Sequence, residues 1–413
     1  MPDRIRIRQH SSLDRPLLTH KSPFKEQSTS AEESGASSPV ATLDHPNAAD
    51  ILRLQSTAGN QAVQRFLATR PGSSSVQRVG EDAEANPLSR SQAAAAVSFY
   101  RSQPRRYTPA IISLIQDAVG TTPSGTISNE DVQAVARWQT KLNESEDPSL
   151  KVDGMAGPRT LPTLFRSGLA DQGAIDNYSK KAHDLLDKWA ELGTAEARIN
   201  KLVELVNKEL TIANVPNCDP KIDDAEGNLG QFEFETWALD IGKPAFEKDD
   251  PTPAEKADMA DTIYHESRHA EQWYRMAQFQ ASQGKSAQQI ADDMSIPKKI
   301  ADKAFADPLK KGSMDALIAE GWNESVYGSR ASFRNKVLKE LAAAGKALEK
   351  AQAEFDKNPT PANQKKLDAA NARDDKARAD YFNLPEENDA NRIGGRVTKG
   401  YMANEPKEEA VAP

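Results

Sequence analysis

Between residues 263 and 272 the chain reads Ile263-Tyr264-His265-Glu266-Ser267-Arg268-His269-Ala270-Glu271-Gln272 and so contains the pattern His-Glu-x-x-His. Residues four positions apart lie on one face of a helix, so His265 and His269 can bind one Zn²⁺ together. Glu266 then lies beside the water molecule that such an ion binds. The chain has six histidines, and its composition produces the pattern by chance in about 0.01 of such chains. The pattern therefore predicts a catalytic zinc site; the alternative is a charged helix face exposed to solvent.

The residues before this pattern predict a long helix that carries it. Thr252 is a suitable N-cap, Pro253 suits the first helical position, and Glu255 suits the third, where it completes a capping box. The helix is expected to run to about residue 282, with the two histidines and Gln272 along one stripe.

A short region upstream of this helix has the period of β-structure. Gln231–Gly242 alternates aromatic or apolar residues with polar ones, which predicts one or two strands. Most of the remaining periodicity is helical. The predicted fold class is therefore mainly α with a small β-sheet (α+β).

The composition argues against several classes of protein. The net charge of −8 and the pI near 5.5 disfavour nucleic acid as the main partner. A single cysteine, Cys218, excludes an internal disulfide framework and a cysteine-based zinc ribbon. No apolar run reaches about 18 residues, which predicts that no segment spans a membrane. The basic N-terminus lacks the apolar core of a secretory signal, so we expect synthesis in the cytoplasm and, for any export, another route.

Shifts in composition divide the chain into several units. Segments rich in Ser, Pro and charged residues, with few large apolar residues, cannot bury enough surface to fold and predict disorder. Two Ala-, Lys- and Glu-rich helices separated by Asn358-Pro359-Thr360-Pro361 predict an antiparallel hairpin that forms a solvated arm. The predicted units are a disordered tail (1–48), a short helical segment (49–68), a linker (69–92), a small three-helix domain (93–170), a larger domain with the His-Glu-x-x-His helix (171–404) that includes the arm (330–382), and a disordered end (405–413).

The small three-helix domain carries a recognisable pattern. Asp153-Gly154 predicts a turn with a positive φ, and Gly157-Pro158 predicts a helix start. Together, Ala136-Arg137-Trp138-Gln139 and Asp153-Gly154-x-x-Gly157-x-x-Thr160 resemble the small peptidoglycan-binding-like domain. The resemblance implies that this unit binds peptidoglycan; the alternative is a scaffold or spacer.

The short helical segment reads Leu54-Gln55-Ser56-Thr57-Ala58-Gly59-Asn60-Gln61-Ala62-Val63. It resembles the Leu-Gln-x-Thr-Ala-Gly-Asn-x-Ala-Val segment of bacterial proteins associated with extracellular contractile injection systems, which are phage-tail-like particles. The resemblance implies a cargo protein that is made in the bacterial cytoplasm, loaded into the particle and delivered outside the cell or into a target cell. A docking element and a capping helix on the main body are both open interpretations of the segment.

A catalytic zinc needs a third protein ligand besides the two histidines. No histidine or cysteine follows His269 in the chain, so a downstream ligand is expected to be Asp or Glu. Two downstream segments supply the candidates: Glu320 and Glu324 in the first, and Glu386, Glu387 and Asp389 in the second.

The second segment resembles the ligand helix of small gluzincin-type metallopeptidases, which reads Glu-x-Glu/Asp-Ala-Asn/Asp. It is matched here by Glu387, Asp389, Ala390 and Asn391, and the resemblance implies that Glu387 is the third zinc ligand. Asn391, one turn further on, is the candidate partner for a ligating histidine. The first motif also resembles a metallopeptidase-like domain associated with injection systems, whose helix reads His-Glu-x-x-His-x-x-Gln, and Gln272 matches its Gln.

These resemblances imply a zinc-dependent metalloendopeptidase with a zincin-like domain, which hydrolyses protein or peptide substrates with a zinc-activated water and Glu266 as general base. In such enzymes a strand borders the cleft and pairs with an extended substrate; here it is Phe232–Ile241, with Phe232, Phe234 and Trp237. A further donor stabilises the oxyanion, and the candidates are Tyr381, Tyr327, Arg330 and Arg392. Two alternatives stay open: a non-catalytic cargo or adaptor with a peptidase-like fold, and a hydrolase that cuts the peptide crosslinks of peptidoglycan.

Overall fold

The computed structural model describes residues 86–224 and 229–406. In these residues the chain is mainly helical with one small three-stranded sheet, so the predicted coarse fold class is confirmed. The predictions for residues 1–48 and 49–68, for most of the linker and for most of the C-terminal end lie outside the described residues. None of the described helices is long and apolar enough to cross a membrane.

The described chain begins with the helices α1 (Arg90–Arg101), α2 (Pro109–Ala118), α3 (Asn129–Ser145) and the short α4 (Leu161–Leu164). The loop before α4 turns at Gly154, whose φ of 71° is the positive value predicted from Asp-Gly. A Cβ at this position would lie 2.7 Å from the carbonyl oxygen of Val132, so the approach of the loop to α3 also requires glycine. The helix predicted to start at Pro158 begins instead at Leu161, because the chain first makes a turn closed by the carbonyl of Gly157.

Two helices and two 3₁₀ turns lead from there to the sheet: Gly168–Ala170 (3₁₀), α5 (Gln172–Leu186), Trp189–Leu192 (3₁₀) and α6 (Ala195–Ile212). Both helices have an apolar face in the core and pack against the long helix that carries His-Glu-x-x-His. They form one part of the shell around that helix.

The sheet consists of β1 (Asp219–Asp223), β2 (Gly230–Glu233) and β3 (Ala238–Gly242), in the order β1-β3-β2. The central β3 pairs parallel with β1 and antiparallel with β2. Phe232–Ile241 is therefore not one strand but parts of two, joined by a tight turn in which Trp237 has a φ of 64°. β1 was not predicted, because its sequence Asp-Pro-Lys-Ile-Asp has no alternation and most of the strand is exposed.

The His-Glu-x-x-His stretch lies in the 30-residue helix α7 (Pro253–Ser282), which follows a 3₁₀ turn at Lys243–Glu247. The helix begins and ends as predicted, and its capping box is present: the hydroxyl of Thr252 accepts the N–H of Glu255, whose carboxylate accepts the N–H of Thr252. Most of α7 is buried on all sides, because α5, α6, the sheet and the following helices surround it.

The rest of the described chain consists of the helices α8 (Ala287–Met294), α9 (Lys298–Ala306), α10 (Met314–Val326), α11 (Ala331–Lys357), α12 (Pro361–Phe382) and α13 (Pro385–Met402). Helices α11 and α12 pack against each other and form the predicted arm, which has its own small apolar cluster near its base. Helix α13 returns to the centre of the molecule and packs along α7.

One apolar core extends from Leu88, before α1, to Tyr401, near the end of α13. It includes Leu161 and Ile175, which lie on either side of the predicted domain boundary at residue 170. Residues 90–164, called the N-terminal helical region below, therefore share a core with the rest of the described chain.

Candidate metal centre

Three side chains of the types that bind metals meet where α13 packs on α7. Nε2 of His269 lies 3.4 Å from Oε2 of Glu387, and one ring nitrogen of His265 completes a group whose atoms all lie within 4.8 Å of one another. Ligand atoms around a tetrahedral zinc ion are about 3.3 Å apart. The three residues are only 5%, 4% and 1% exposed for His265, His269 and Glu387. The alternative of a solvent-exposed histidine pair is therefore wrong.

The register of α13 on α7 brings the carboxylate to the histidines. The two helices run antiparallel: Asp389, near the start of α13, bonds to Gln272, while Thr398, near its end, bonds to Asp261. Gly394 permits the close approach, because a Cβ there would lie 2.0 Å from Oδ1 of Asp261. This register places the first turn of α13 beside the middle of α7.

The neighbouring carboxylates of α13 are engaged by arginines. Oε1 of Glu386 accepts a hydrogen bond from Nε of Arg334 at 2.7 Å. The two oxygens of Asp389 accept from Arg268 at 2.9 Å and from Arg392 at 2.7 Å. Neither residue belongs to the group of ligand atoms, although both were candidate third ligands.

The two candidates on α10 also have other partners. Oε2 of Glu320 lies 3.5 Å from Nε of Arg106. Glu324 accepts hydrogen bonds from the N–H of Ser329 at 2.9 Å and from its hydroxyl at 2.7 Å. The structure thus brings Glu387 to the histidines and leaves the other candidates outside the group.

The three side chains fit a zinc ion by their chemistry. Oε1 of Glu387 is buried and has no hydrogen-bond partner in the described part of the chain. Burial lowers the pKa of His265 to about 3, so its ring is neutral. Burial opposes ionisation of Glu387, but His269, Arg334 and His265 together outweigh it and lower the pKa of this carboxyl to about 2. Neutral imidazole and ionised carboxylate are the forms that bind zinc.

His269 differs from His265 because of its carboxylate partner. Burial lowers its pKa, but Glu387, Glu266 and the hydrogen bond to Gln272 together outweigh this effect and raise the pKa to about 9. At neutral pH the imidazole therefore holds a proton and the carboxylate beside it is ionised. A cation bound between them would replace that proton, as zinc does when it binds protein ligands.

Gln272 sets the orientation and the tautomer of His269. Its Nε2 donates to the carbonyl oxygen of Glu386 at 2.9 Å and to Oδ2 of Asp389 at 3.1 Å. Because the amide nitrogen faces these two acceptors, the amide oxygen faces Nδ1 of His269, 2.8 Å away. The amide oxygen therefore accepts a hydrogen bond from the N–H at Nδ1. Nε2 of His269 is then the nitrogen directed at Glu387 and available to an ion.

Glu266 lies beside the group, and its carboxylate is anchored to the sheet. Oε2 accepts the N–H of Phe232 at 2.9 Å, and Oε1 is 3.9 Å from Nε2 of His265. Burial raises the pKa of Glu266 to about 7. A carboxylate with this pKa exchanges protons near neutral pH, as a general base must.

Asn391 does not make the predicted contact with a histidine. Its Nδ2 donates to the carbonyl oxygen of Glu387, 2.8 Å away in the preceding turn of α13. A short amide side chain reaches back along its own helix more readily than across to another one. Gln272, on α7, is the residue that bonds to the histidine.

Tyr381 is the oxyanion candidate that lies beside the group. It stands near the end of α12 and is buried. Burial, together with the neighbouring carboxylates of Glu387 and Glu266, holds the pKa of its hydroxyl well above the usual value. The hydroxyl therefore keeps its proton and can donate a hydrogen bond.

The other oxyanion candidates form hydrogen bonds with other groups or are exposed. The hydroxyl of Tyr327 donates to the carbonyl of Met294 at 3.2 Å. The guanidinium of Arg392 bonds to Asp389 at 2.7 Å, and the residue is buried. Arg330 is exposed at the start of α11.

The aromatic residues predicted on the substrate-edge strand lie in the core. Phe234 stacks on Trp273 with 5.8 Å between ring centroids, and Phe232 meets Trp237 edge to face at 5.1 Å. Trp273 in turn meets the ring of His269 edge to face at 6.0 Å. These side chains therefore form an apolar wall beside the histidines. The pairing of the β2 backbone with a substrate stays a prediction.

Sequence reasoning missed two residues near the group. Trp273 follows His269 by one helical turn, so its spacing was a usable signal. Arg334, on α11, is 3% exposed and holds Glu386 beside the carboxylate of Glu387. No feature of the Lys- and Arg-rich arm sequence distinguishes this arginine from the exposed ones.

Comparison of the chain with protein-family models, with curated proteins and with solved structures found no significant match. The function is therefore argued from the residues and the geometry of this centre.

Proposed function

We propose that the chain is a zinc-dependent metalloendopeptidase whose ion is held by His265, His269 and Glu387. The observation that supports this most directly is the convergence of a buried carboxylate from α13 on the two histidines of α7, with Glu266 beside them. A two-His-one-carboxylate set with an adjacent glutamate is the donor set of zinc peptidases. In this proposal residues 171–404 form a zincin-like domain.

A zinc ion in such a site lowers the pKa of a bound water to about 7 and polarises the carbonyl under attack. Glu266 accepts a proton at Oε1, because Oε2 is held by the N–H of Phe232. It then donates this proton to the nitrogen of the leaving amine. Its pKa of about 7 suits both transfers near neutral pH.

Tyr381 is the proposed donor to the oxygen of the carbonyl under attack. Its proton is retained because burial and two neighbouring carboxylates hold its pKa high. A donor in a buried site stabilises the negative charge that develops on this oxygen. Arg334 keeps Glu386 occupied and so leaves Glu387 as the carboxylate that faces the histidines.

The proposed substrates are proteins or peptides, and the proposed setting is that of an effector carried by a contractile injection particle. The support for this setting is the resemblance of residues 54–63, which lie outside the described residues. Particle loading in the bacterial cytoplasm and delivery outside the cell belong to the same proposal.

The burial of the site favours a second candidate, a non-catalytic cargo or adaptor in which the ion stabilises the fold. Structural zinc sites are closed, whereas catalytic sites keep an open position for water or substrate. The four residues His265, Glu266, His269 and Glu387 are at most 8% exposed. Both candidates bind zinc, but only the peptidase requires Glu266.

Zinc quantification with a proteolysis assay separates the two candidates. The wild type is expected to hold one zinc per chain and to cleave peptides. Glu266→Gln is expected to keep the zinc and lose proteolysis, and Glu387→Ala is expected to lose both. Glu324→Gln, on α10 and outside the group, is the matched control and is expected to keep both.

Each contrary result has its own meaning. A wild type without stoichiometric zinc refutes both candidates. Zinc without proteolysis in the wild type favours the structural site. Full zinc retention in Glu387→Ala removes this residue from the ligand set.

A further inference from the structure

The ligand helix α13 is held not only by α7 but also by the N-terminal helical region. Four contacts join the region to α13 and to the turn that precedes it: Arg159 Nη1 to Asn383 Oδ1 (2.8 Å), Asn388 Nδ2 to Asp147 Oδ2 (3.0 Å), Arg392 Nη1 to Glu146 Oε2 (3.2 Å) and Lys399 Nζ to the carbonyl of Ser145 (2.9 Å). Three of the acceptors are consecutive residues at the end of α3. One short segment of this region therefore contacts α13 along most of its length.

Asp147 is the centre of these contacts. Its Oδ2 accepts from Arg159 at 2.8 Å as well as from Asn388, and its Oδ1 accepts from the hydroxyl of Ser149 at 2.7 Å. Burial opposes its ionisation, but Arg159, Ser149 and Asn388 together outweigh this effect and lower the pKa of Asp147. Asn388 directly follows Glu387 in the chain, so the bond acts on the turn that carries the proposed ligand.

A second route leads from the same segment to a histidine. Glu146 bonds to Arg392, which bonds through Nη2 to Oδ1 of Asp389 at 2.7 Å. Oδ2 of Asp389 accepts from Gln272 at 3.1 Å, and Gln272 faces Nδ1 of His269 at 2.8 Å. A continuous series of buried or half-buried hydrogen bonds thus joins the end of α3 to His269.

The residues of the motif that resembles a peptidoglycan-binding-like domain bond to one another within the region. Nε2 of Gln139 donates to Oδ1 of Asp153, the carbonyl of Met155 and Oγ1 of Thr160 at 3.1–3.2 Å. Its Oε1 accepts the N–H groups of Asp153 and Gly154 at 2.9 and 2.8 Å. The amide is buried and fully bonded, so these residues shape the loop between α3 and α4. The same loop supplies the arginine of the contacts above.

We propose that the N-terminal helical region is a positioning element of the metal centre. Through Glu146 and Asp147 it sets the register of α13, and with it the place of the Glu387 carboxylate. The inference rests on the proposed zinc site, whereas the contacts themselves do not require an ion. Asp147 is a positioning residue, because it acts on the ligand through Asn388.

Asp131 provides a matched control in the same region. It is 3% exposed, against 6% for Asp147. It accepts hydrogen bonds from Gln116, Thr121 and Ser128 at 2.9, 2.6 and 2.8 Å, and these partners all belong to the N-terminal helical region. Asp131→Ala therefore weakens the region without touching its contacts with α13.

The test compares Asp147→Ala, Asn388→Ala and Asp131→Ala in the full chain. Zinc affinity is measured by competition with a chelator, and amide hydrogen exchange at residues 386–392 is measured in the metal-free protein. Asp147→Ala and Asn388→Ala are expected to lower zinc affinity about 10–100-fold, the usual effect of losing a residue that orients a ligand. Both are expected to speed exchange in the first turns of α13. Asp131→Ala is expected to lower the melting temperature and to change zinc affinity by less than about threefold.

The outcomes separate this inference from the proposed function. If the wild type binds no zinc, the proposed function fails. The positioning role is then tested only by amide hydrogen exchange at residues 386–392. Unchanged exchange in Asp147→Ala and Asn388→Ala overturns the inference, as does an equal loss of zinc affinity in Asp131→Ala. If Asp147→Ala does not fold, Asn388→Ala decides, because it removes the same bond and leaves the pairing of Asp147 with Arg159 in place.

Discussion

Two antiparallel helix pairs in this molecule are similarly rich in charge and differ in environment. Between α7 and α13, Arg268 and Asp389 bond at 2.9 Å with only 5% and 3% of their side chains exposed. In the arm, Arg373 of α12 and Glu340 of α11 bond at 2.8 Å with 45% and 48% exposed. The bond lengths are almost equal, so the difference between the pairs lies in what surrounds them.

The interior pair depends on complete matching of charges. Arg268 bonds to two carboxylates, those of Asp389 and Glu271, and Asp389 also bonds to Arg392. Removing one member takes a partner away from a buried charge, which costs several kcal/mol, whereas water takes over for a lost partner in the arm. The register of α13, and so the place of Glu387, is therefore sensitive to single residues of α7.

The largest expected effect comes from breaking the interior network. Arg268→Ala removes the arginine shared by two buried carboxylates, leaving Asp389 with Arg392 and Glu271 with Arg275 at 3.7 Å, and is expected to lower the free energy of unfolding by about 3–5 kcal/mol. Arg373→Ala in the arm is expected to leave the free energy of unfolding almost unchanged, because the pair of Arg373 and Glu340 is exposed. Urea unfolding followed by circular dichroism measures both. Similar losses in the two variants would mean that burial does not distinguish the two helix pairs.

The histidine motif and its helix could be predicted from local signals. The spacing of His265 and His269 and the capping box at Thr252 and Glu255 depend on residues a few positions apart, and the structure has them as predicted. The polar residues between the histidines gave the opposite impression, a solvated face. They are buried because their partners come from distant helices, and one sequence does not show those partners.

The proposed third ligand illustrates the same limit. Residue type narrowed the candidates for this ligand to several carboxylates, and only a resemblance favoured Glu387. What brings Glu387 to the histidines is the register of α13 on α7, which Gly394 and the bond of Gln272 to Asp389 help to set. Arg334 was missed because its pairing with Glu386 joins two helices that are separated in the chain by the whole arm.

The second prediction tests whether the polar contacts between α7 and α13 orient His269 for zinc binding. Gln272→Leu removes the acceptor for Nδ1 of His269 at similar volume, so the ring loses the bond that fixes its tautomer. Zinc affinity is expected to fall about 10–100-fold, as it does for other residues that orient ligating histidines.

Gln280→Leu is the control for this prediction. Gln280 lies on the same helix, is 4% exposed and donates to Asn323 at 2.9 Å, outside the metal centre. Its replacement is expected to cost stability and to leave zinc affinity within about threefold of the wild type. An equal fall in affinity for both variants would show that general loosening of α7, and not the tautomer of His269, controls binding.

The third prediction concerns Asp261, a carboxylate of α7 whose pKa is raised by burial. Its carboxylate bonds to Thr398 at 3.2 Å, and its Oδ1 is buried without a hydrogen-bond partner in the described residues. Burial raises its pKa from the ordinary 3.8 to about 7. We expect Asp261→Asn to stabilise the protein by about 1–3 kcal/mol at pH 8, a range reduced for partial exposure of the residue.

The sign of this effect follows from proton uptake. A raised carboxyl pKa means that the native state binds the proton more tightly than the unfolded chain, so wild-type stability falls as pH rises from about 4 to about 7 and the loss is complete above that range. The amide of the Asp261→Asn variant cannot ionise, and the difference in melting temperature between variant and wild type is expected to be small near pH 4 and to grow to a plateau above about pH 7. Asp292→Asn, at the exposed surface of α8, is the control for removing one carboxylate charge, and growth of the same size in this variant would show that burial of Asp261 is not the cause. A constant difference for Asp261→Asn across this range would show that the groups around this carboxylate already compensate its charge.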